Sequence, residues 1–193
     1  MKIIKIPKDK IFALASRKGG VGKTPIALSL AIDLEYFFLT NDRGIATEVY
    51  NNSKYMEKPI PVQNAIYDFG GYASAGVIEV VKQSDLLIIP VINESDAFVK
   101  TILTAHELKP HAKETILIAT RTEKKDMDEI KKEMRERLPD IKIFELSKSK
   151  IFKRVTKDGM SILQIANETP LNRYVYRKIL AEYTELLNYI KGA

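Results

Sequence analysis

The sequence predicts an α/β domain, a mostly parallel β-sheet with helices on both faces. Three observations predict it. Short, near-continuous apolar runs alternate along the chain with amphipathic segments of helical spacing. A glycine-rich turn joins the first apolar run to the first helical segment. Polar residues recur where the apolar runs end, at Ser16, Asn41–Asp42, Asp68 and Thr120–Arg121. Open parallel sheets bind ligands beyond the carboxyl ends of their strands, so this recurrence places one site at one edge of the sheet.

The elements follow in order. Residues 11–16 (IFALAS) read as a buried strand that stops at the glycine turn. Residues 23–35 read as a helix with Pro25 in its first turn, where the missing N–H costs nothing. Residues 36–40 (YFFLT) form a second strand, followed by a polar, irregular stretch. The third strand lies within 61–71 and ends at Asp68. Residues 72–84 are helical, 85–92 (DLLIIPVI) a strand, and 94–108 a helix capped by Ser95 or Asp96. A strand at 114–121 precedes the helix 126–138, whose Met127, Ile130, Met134 and Leu138 form one stripe. The opposite face pairs Asp128 with Lys132 and Glu133 with Arg137, a solvated surface. A last strand at 141–146 and a closing helix at 173–190 complete the chain.

With 193 residues and 45% apolar content, the chain suits one domain spanning 1–193 with a full core. No apolar run approaches the roughly 18 residues of a membrane span. Lys8, Asp9 and Lys10 interrupt the apolar stretch near the start, so no export signal is read and a cytoplasmic location is expected. The absence of cysteine excludes disulfides and thiolate-held metals or clusters. The net charge of +6 is concentrated. Between Ser147 and Lys178 stand Lys148, Lys150, Lys153, Arg154, Lys157, Arg173, Arg177 and Lys178, against only Asp158 and Glu168. The rest of the chain is neutral.

The strongest motif is SRKGGVGKTPIA, Ser16 to Ala27. Gly19, Gly20 and Gly22 let the main chain approach phosphate oxygens, and the N–H groups at the head of the following helix add positive potential. Lys23 suits the outer phosphates of a nucleotide and the Thr24 hydroxyl suits Mg²⁺. The loop nevertheless departs from the pattern G-x-x-x-x-G-K-[ST], because Arg17 occupies the place of the first glycine and Lys18 follows it.

KGGVGKT, Lys18 to Thr24, resembles the deviant Walker A motif of ParA/MinD-type P-loop ATPases, a SIMIBI-type fold. The resemblance is greatest to small, ParF-like partition ATPases and extends over nearly the whole chain. It implies that Lys18 reaches across a two-fold axis to the nucleotide of a partner subunit. It implies a nucleotide site of Lys18, Gly19, Gly20, Val21, Gly22, Lys23, Thr24 and Pro25, with Thr120 and Arg121 near the base. TNDRGIAT resembles switch I, which makes Asp42 the aspartate that orients the attacking water; a turn cap is its structural alternative. AIYDFGG resembles switch II, with Asp68 holding Mg²⁺ through water and Gly70–Gly71 sensing the γ-phosphate. Residues 144–164 resemble the family segment that ends in a glycine turn, here Gly159. Thr40 or Asn41 replaces the first switch I aspartate, Arg43 stands for Pro-Gln, Phe69 replaces Thr-Pro, and ELSK lacks the usual Ile-Pro. These departures bear on hydrolysis rate more than on nucleotide binding.

The resemblance and the basic segment together lead to one expectation. The chain is a DNA-partition ATPase that uses ATP and Mg²⁺, dimerises on ATP and is weakly hydrolytic. It binds DNA non-specifically, associates with the nucleoid, and is stimulated by a centromere-binding ParB-type partner. The DNA surface is expected to comprise Lys150, Lys153, Arg154, Lys157, Arg173, Arg177 and Lys178, with the last three on one side of the closing helix. A MinD-like membrane switch and a metabolic P-loop ligase are the alternatives. The former needs a basic amphipathic terminal helix, but Glu182 and Glu185 stand in this one. The latter needs an acceptor site, and His106 reads as a helix surface or packing residue rather than a general base.

Overall fold

A computed structural model describes residues 8–70 and 75–192 of the chain. Gly71 and the first residues of the 72–84 helical segment lie outside the described residues. The strands are β1 (Ile11–Ser16), β2 (Phe37–Thr40), β3 (Ser53–Tyr55), β4 (Ala65–Gly70), β5 (Leu86–Val91), β6 (Thr115–Thr122) and β7 (Lys142–Ser147). The helices are α1 (Lys23–Leu34), α2 (Ala75–Gln83), α3 (Ser95–Leu108), α4 (Asp126–Arg137), α5 (Ile151–Asp158), α6 (Ile162–Asn167), α7 (Pro170–Val175) and α8 (Arg177–Gly192).

All seven strands join one sheet in the order β3-β2-β4-β1-β5-β6-β7, and every pairing is parallel. β1 and β5 are buried along their whole length, which is why they read as unbroken apolar runs. The two faces of the sheet bury separate cores. Phe12, Leu14, Phe38 and Ile88 pack on one side with Leu30 of α1, Val155 of α5 and Leu186 of α8. Ala13, Tyr67 and Ile89 pack on the other with Val80 of α2, Ala105 of α3 and Met134 of α4. The chain leaves β1 toward β2 on one side and later crosses to β5 on the other, which makes the carboxyl end of β1 the switch point of the sheet.

Four details differ from the sequence expectation. The irregular stretch contains a short edge strand, Ser53–Tyr55. The cap of α3 is Glu94 in extended conformation, with Ser95 already helical and no side-chain cap bond. The closing helix is interrupted: α7 ends at Val175, Tyr176 breaks the helical geometry at φ −95° and ψ 10°, and α8 starts at Arg177. Arg173 therefore lies on a different helix from Arg177 and Lys178. Finally, two short helices fill the stretch around Gly159. α5 ends on Gly159 with φ 64°, and a Cβ there would come within 2.2 Å of the Val49 carbonyl oxygen. α6 starts with a capping box in which Ser161 and Gln164 satisfy each other's backbone N–H groups.

Candidate nucleotide site

The loop from β1 to α1 takes the form that phosphate binding requires. Gly20 and Gly22 have φ of 75° and 81°, the left-handed region that favours glycine. Gly22 caps α1 without a side-chain bond, and no acidic residue stands in the first turn, so the N–H groups there remain directed outward. Val21 turns inward against Ile92 and Ala97, anchoring the loop to the start of α3.

Register then gathers the polar residues. Asp68 of β4 lies between Leu14 of β1 and Thr40 of β2. It is almost fully buried. Lys23 Nζ donates to one carboxylate oxygen of Asp68 at 2.7 Å and Thr24 Oγ1 donates to the other at 2.6 Å. A carboxylate this buried is tolerated because a cation and a hydroxyl both reach it. Thr40 ties the neighbouring strand end together: its hydroxyl donates to the Asp68 carbonyl at 2.9 Å and accepts from the Asp42 N–H at 3.0 Å. Asn41 accepts from the Gly70 N–H at 2.8 Å, linking the loop after β2 to the end of β4. The Asp42 carboxylate lies against Gly70, where a Cβ would meet its Oδ2 at 3.2 Å.

Above them opens a cavity of about 550 Å³, bounded by the loop 16–25, Asp42, Gly70 and Arg121 and, on the far wall, by Phe152, Lys153 and Thr156. A second cavity of about 590 Å³ adjoins it, lined by Pro25, Thr120, Arg121, Lys150, Phe152 and Lys153. Arg121 has φ 56° at an irregularity of the β6–β7 pairing. The Thr120 hydroxyl is committed to the loop itself, donating to the Val21 carbonyl at 2.7 Å. Thr24 and Asp68 are hard oxygen donors of the kind Mg²⁺ takes one or two of, beside phosphate oxygens and water. Among the described residues no group of three or more His, Asp or Glu side chains is arranged to hold a metal.

The two residues that make the loop atypical both grip α3. Arg17 donates to Glu107 at 2.7 Å, and its N–H reaches Thr104 Oγ1 at 3.3 Å. Lys18 Nζ sits 3.0 Å from Asp96 and 3.1 Å from Glu94. Those two carboxylates, Asp96 foremost, push the Lys18 pKa up, while Lys18 and then Lys100 push that of Asp96 down. Glu94, Asp96 and the wall residue Phe152 were not legible as site residues, since each owes its place to the fold rather than to a motif.

The basic residues of the C-terminal segment divide. Lys150 and Lys153 border the cavities just described. Arg154 is taken up by Asp158 at 2.8 Å and Glu168 at 2.7 Å. Lys157 and Arg173 are exposed. Arg177 stacks on the Tyr174 ring at 4.5 Å, and Lys178 lies 3.4 Å from Glu182.

No protein-family model matches the chain, and no curated protein sequence matches it. Solved structures do share its fold. McdA from Cyanothece superposes with a TM-score of 0.68 at 14% identity, over 95% of this chain and 99% of that one. The septum site-determining protein MinD of Pyrococcus horikoshii, complexed with Mg-ADP, gives 0.64 at 13% identity over 94% and 95%. A putative plasmid partition protein of Borrelia burgdorferi, bound to AMPPNP, gives 0.60 at 17% identity over 92% and 99%. In fold, this chain is of the ParA/MinD type that its Lys18–Thr24 loop resembles.

Proposed function

We propose that the chain is a Mg²⁺-dependent ATPase of the partition type, which dimerises on ATP and binds DNA without sequence preference. The observation that carries the reading is the convergence of Lys23 and Thr24 on buried Asp68 beneath a glycine loop that opens α1. Similar folds carry Mg-ADP or an ATP analogue.

The chemistry follows from these positions. Lys23 and the N–H groups at the head of α1 hold the phosphate chain. Thr24 and Asp68 would hold Mg²⁺, which would supply charge neutralisation to the phosphate chain. Asp42, held by Thr40 through its own backbone N–H, orients the attacking water. Lys18 leaves Glu94 and Asp96 to neutralise a triphosphate held by the other subunit, acting as an arginine finger supplied in trans does. Hydrolysis removes that attraction, and a centromere-binding partner accelerates it. Exposed cations of the C-terminal segment face DNA, and a dimer presents two such sets.

DNA binding against salt, measured with ATP, ADP and no nucleotide, tests the reading. Tight binding is expected with ATP alone, with a log–log salt slope of about −0.9 for each phosphate neutralised. Equal binding in all three states would contradict it. A membrane-associated role fits the MinD fold as well. Sedimentation with anionic liposomes and ATP separates the two, because the partition reading expects no pelleting.

A further inference from the structure

Two adjacent residues pin the glycine loop to α3 in opposite directions. Lys18 reaches Asp96 in the first turn of α3 at 3.0 Å, and Arg17 reaches Glu107 in its last turn at 2.7 Å. At 1.5 Å per residue those anchors stand roughly 16 Å apart along the helix. Between them the Arg17 N–H donates to Thr104 Oγ1 at 3.3 Å, and Val21 packs on Ala97. Ser16 closes the turn itself, its hydroxyl accepting from the Lys18 N–H at 3.1 Å. Arg17 lies outside the left-handed region, so a side chain is admitted where G-x-x-x-x-G-K-[ST] has its first glycine.

The glycines do not hold the loop by packing. Gly19 and Gly20 are exposed, and a Cβ at either of them, or at Gly22, would meet nothing within 4 Å. Glycine loses more backbone freedom on ordering than any other residue. A loop of this composition therefore depends on its flanking side chains for a fixed shape.

We propose that Glu107, acting through Arg17, is a positioning residue for phosphate binding; this rests on the nucleotide-site reading above. The pair fixes the loop against α3 with its N–H groups aligned before the phosphates arrive, and a loop ordered in advance binds without the entropy loss. Arg17 borders the phosphate cavity and Glu107 does not. Glu107 can thus influence a bound phosphate in two ways, through Arg17 or through its own charge, and the two have opposite signs. Removing its carboxylate makes the protein more positive, which by charge alone draws an anion more tightly. Removing the anchor weakens binding.

Mg-ADP binding by isothermal titration calorimetry reads the loop within one chain. The variants are Glu107→Ala, Arg17→Gln and the double Arg17→Gln/Glu107→Ala. The Arg17 and Glu107 side chains are 27% and 34% exposed, so their pair adds little to global stability and the variants keep the fold. Glu107→Ala is expected to raise the Kd about three- to fivefold. Arg17→Gln is expected to raise it at least as much, and loss of Glu107 in that background should weaken binding no further, because the anchor is already gone. Unchanged or tighter binding by Glu107→Ala, or a further loss in the double variant, overturns the anchoring role and leaves the nucleotide site standing. A wild type that binds no Mg-ADP overturns that site and the anchor with it.

Discussion

The two charged regions of this molecule, the end of the sheet around Asp68 and the C-terminal segment 147–178, behave differently. Around Asp68 a few polar groups are buried and converge: Lys23, Thr24 and Thr40 all meet one residue. In the C-terminal segment many cations are exposed and diverge, and several are already paired. Arg154 has Asp158 and Glu168, Lys178 has Glu145 and Glu182, and Lys148 has Glu123. The contrast teaches that the position of charge, more than its sum, marks a site. A formal excess of +6 overstates the cation surface that a polyanion meets.

The sharpest test of the converging region removes its cation. Lys23→Ala is expected to lower ATP turnover at least about 10²-fold, as loss of a preorganised charge at a transferring phosphoryl group does. Steady-state phosphate release checks this, and near-normal turnover would break the contrast at its stronger end. In the diverging region the largest effect is conformational rather than electrostatic. Gly159→Ala forces a Cβ onto the Val49 carbonyl at φ 64°, and a loss of about 3 kcal/mol is expected in urea unfolding. A neutral result there would show that α5 and its basic residues are loosely held.

A third prediction concerns Asp33, which couples α1 to α8 behind the nucleotide loop. It accepts from the buried Tyr183 hydroxyl at 2.8 Å. Burial pushes its pKa up to about 6, against the opposing pull of Ser161 and Tyr183. A carboxyl raised in the folded state contributes stability that is full below its unfolded pKa near 4 and is lost as pH rises through 6. Wild type should therefore lose at most about 3 kcal/mol between those pH values on this account. Asp33→Asn, which keeps the acceptor, should lack that slope in denaturant titrations. The smallest effects belong to the surface. Arg177→Ala should flatten the DNA salt slope by about 1, whereas Arg154→Ala, already neutralised by Asp158 and Glu168, should leave it unchanged. Equal effects from both would mean that ion pairing does not select the DNA surface.

Sequence legibility divides along the same line. The buried strands were readable because burial on both faces requires unbroken apolar runs, and the glycine loop because φ above zero requires glycine. β3 was not, since its three residues SKY sit at the sheet edge with no apolar alternation. α5 and α6 were hidden by shortness, and only Ile151 and Val155, four apart, betray the buried side of α5. The break at Tyr176 has no glycine or proline to announce it. Within the site, Lys23, Thr24, Asp42 and Asp68 were named from the motifs; the first three line one cavity, and buried Asp68 lies beneath it, bonded to Lys23 and Thr24. The carboxylates that hold Lys18 come from α3, far along the chain, and no spacing rule links Lys18 to Glu94 or Asp96.

On the proposed reading, exchange of Lys18 from those carboxylates to a second subunit would make DNA affinity depend on nucleotide. Size-exclusion chromatography with light scattering, on wild type and Lys18→Ala in the apo, ADP and non-hydrolysable ATP-analogue states, measures that exchange directly. The account predicts a wild-type dimer with the triphosphate analogue alone and a Lys18→Ala monomer throughout. A Lys18→Ala protein that dimerises as wild type does, or a wild type that stays monomeric in every state, would contradict it.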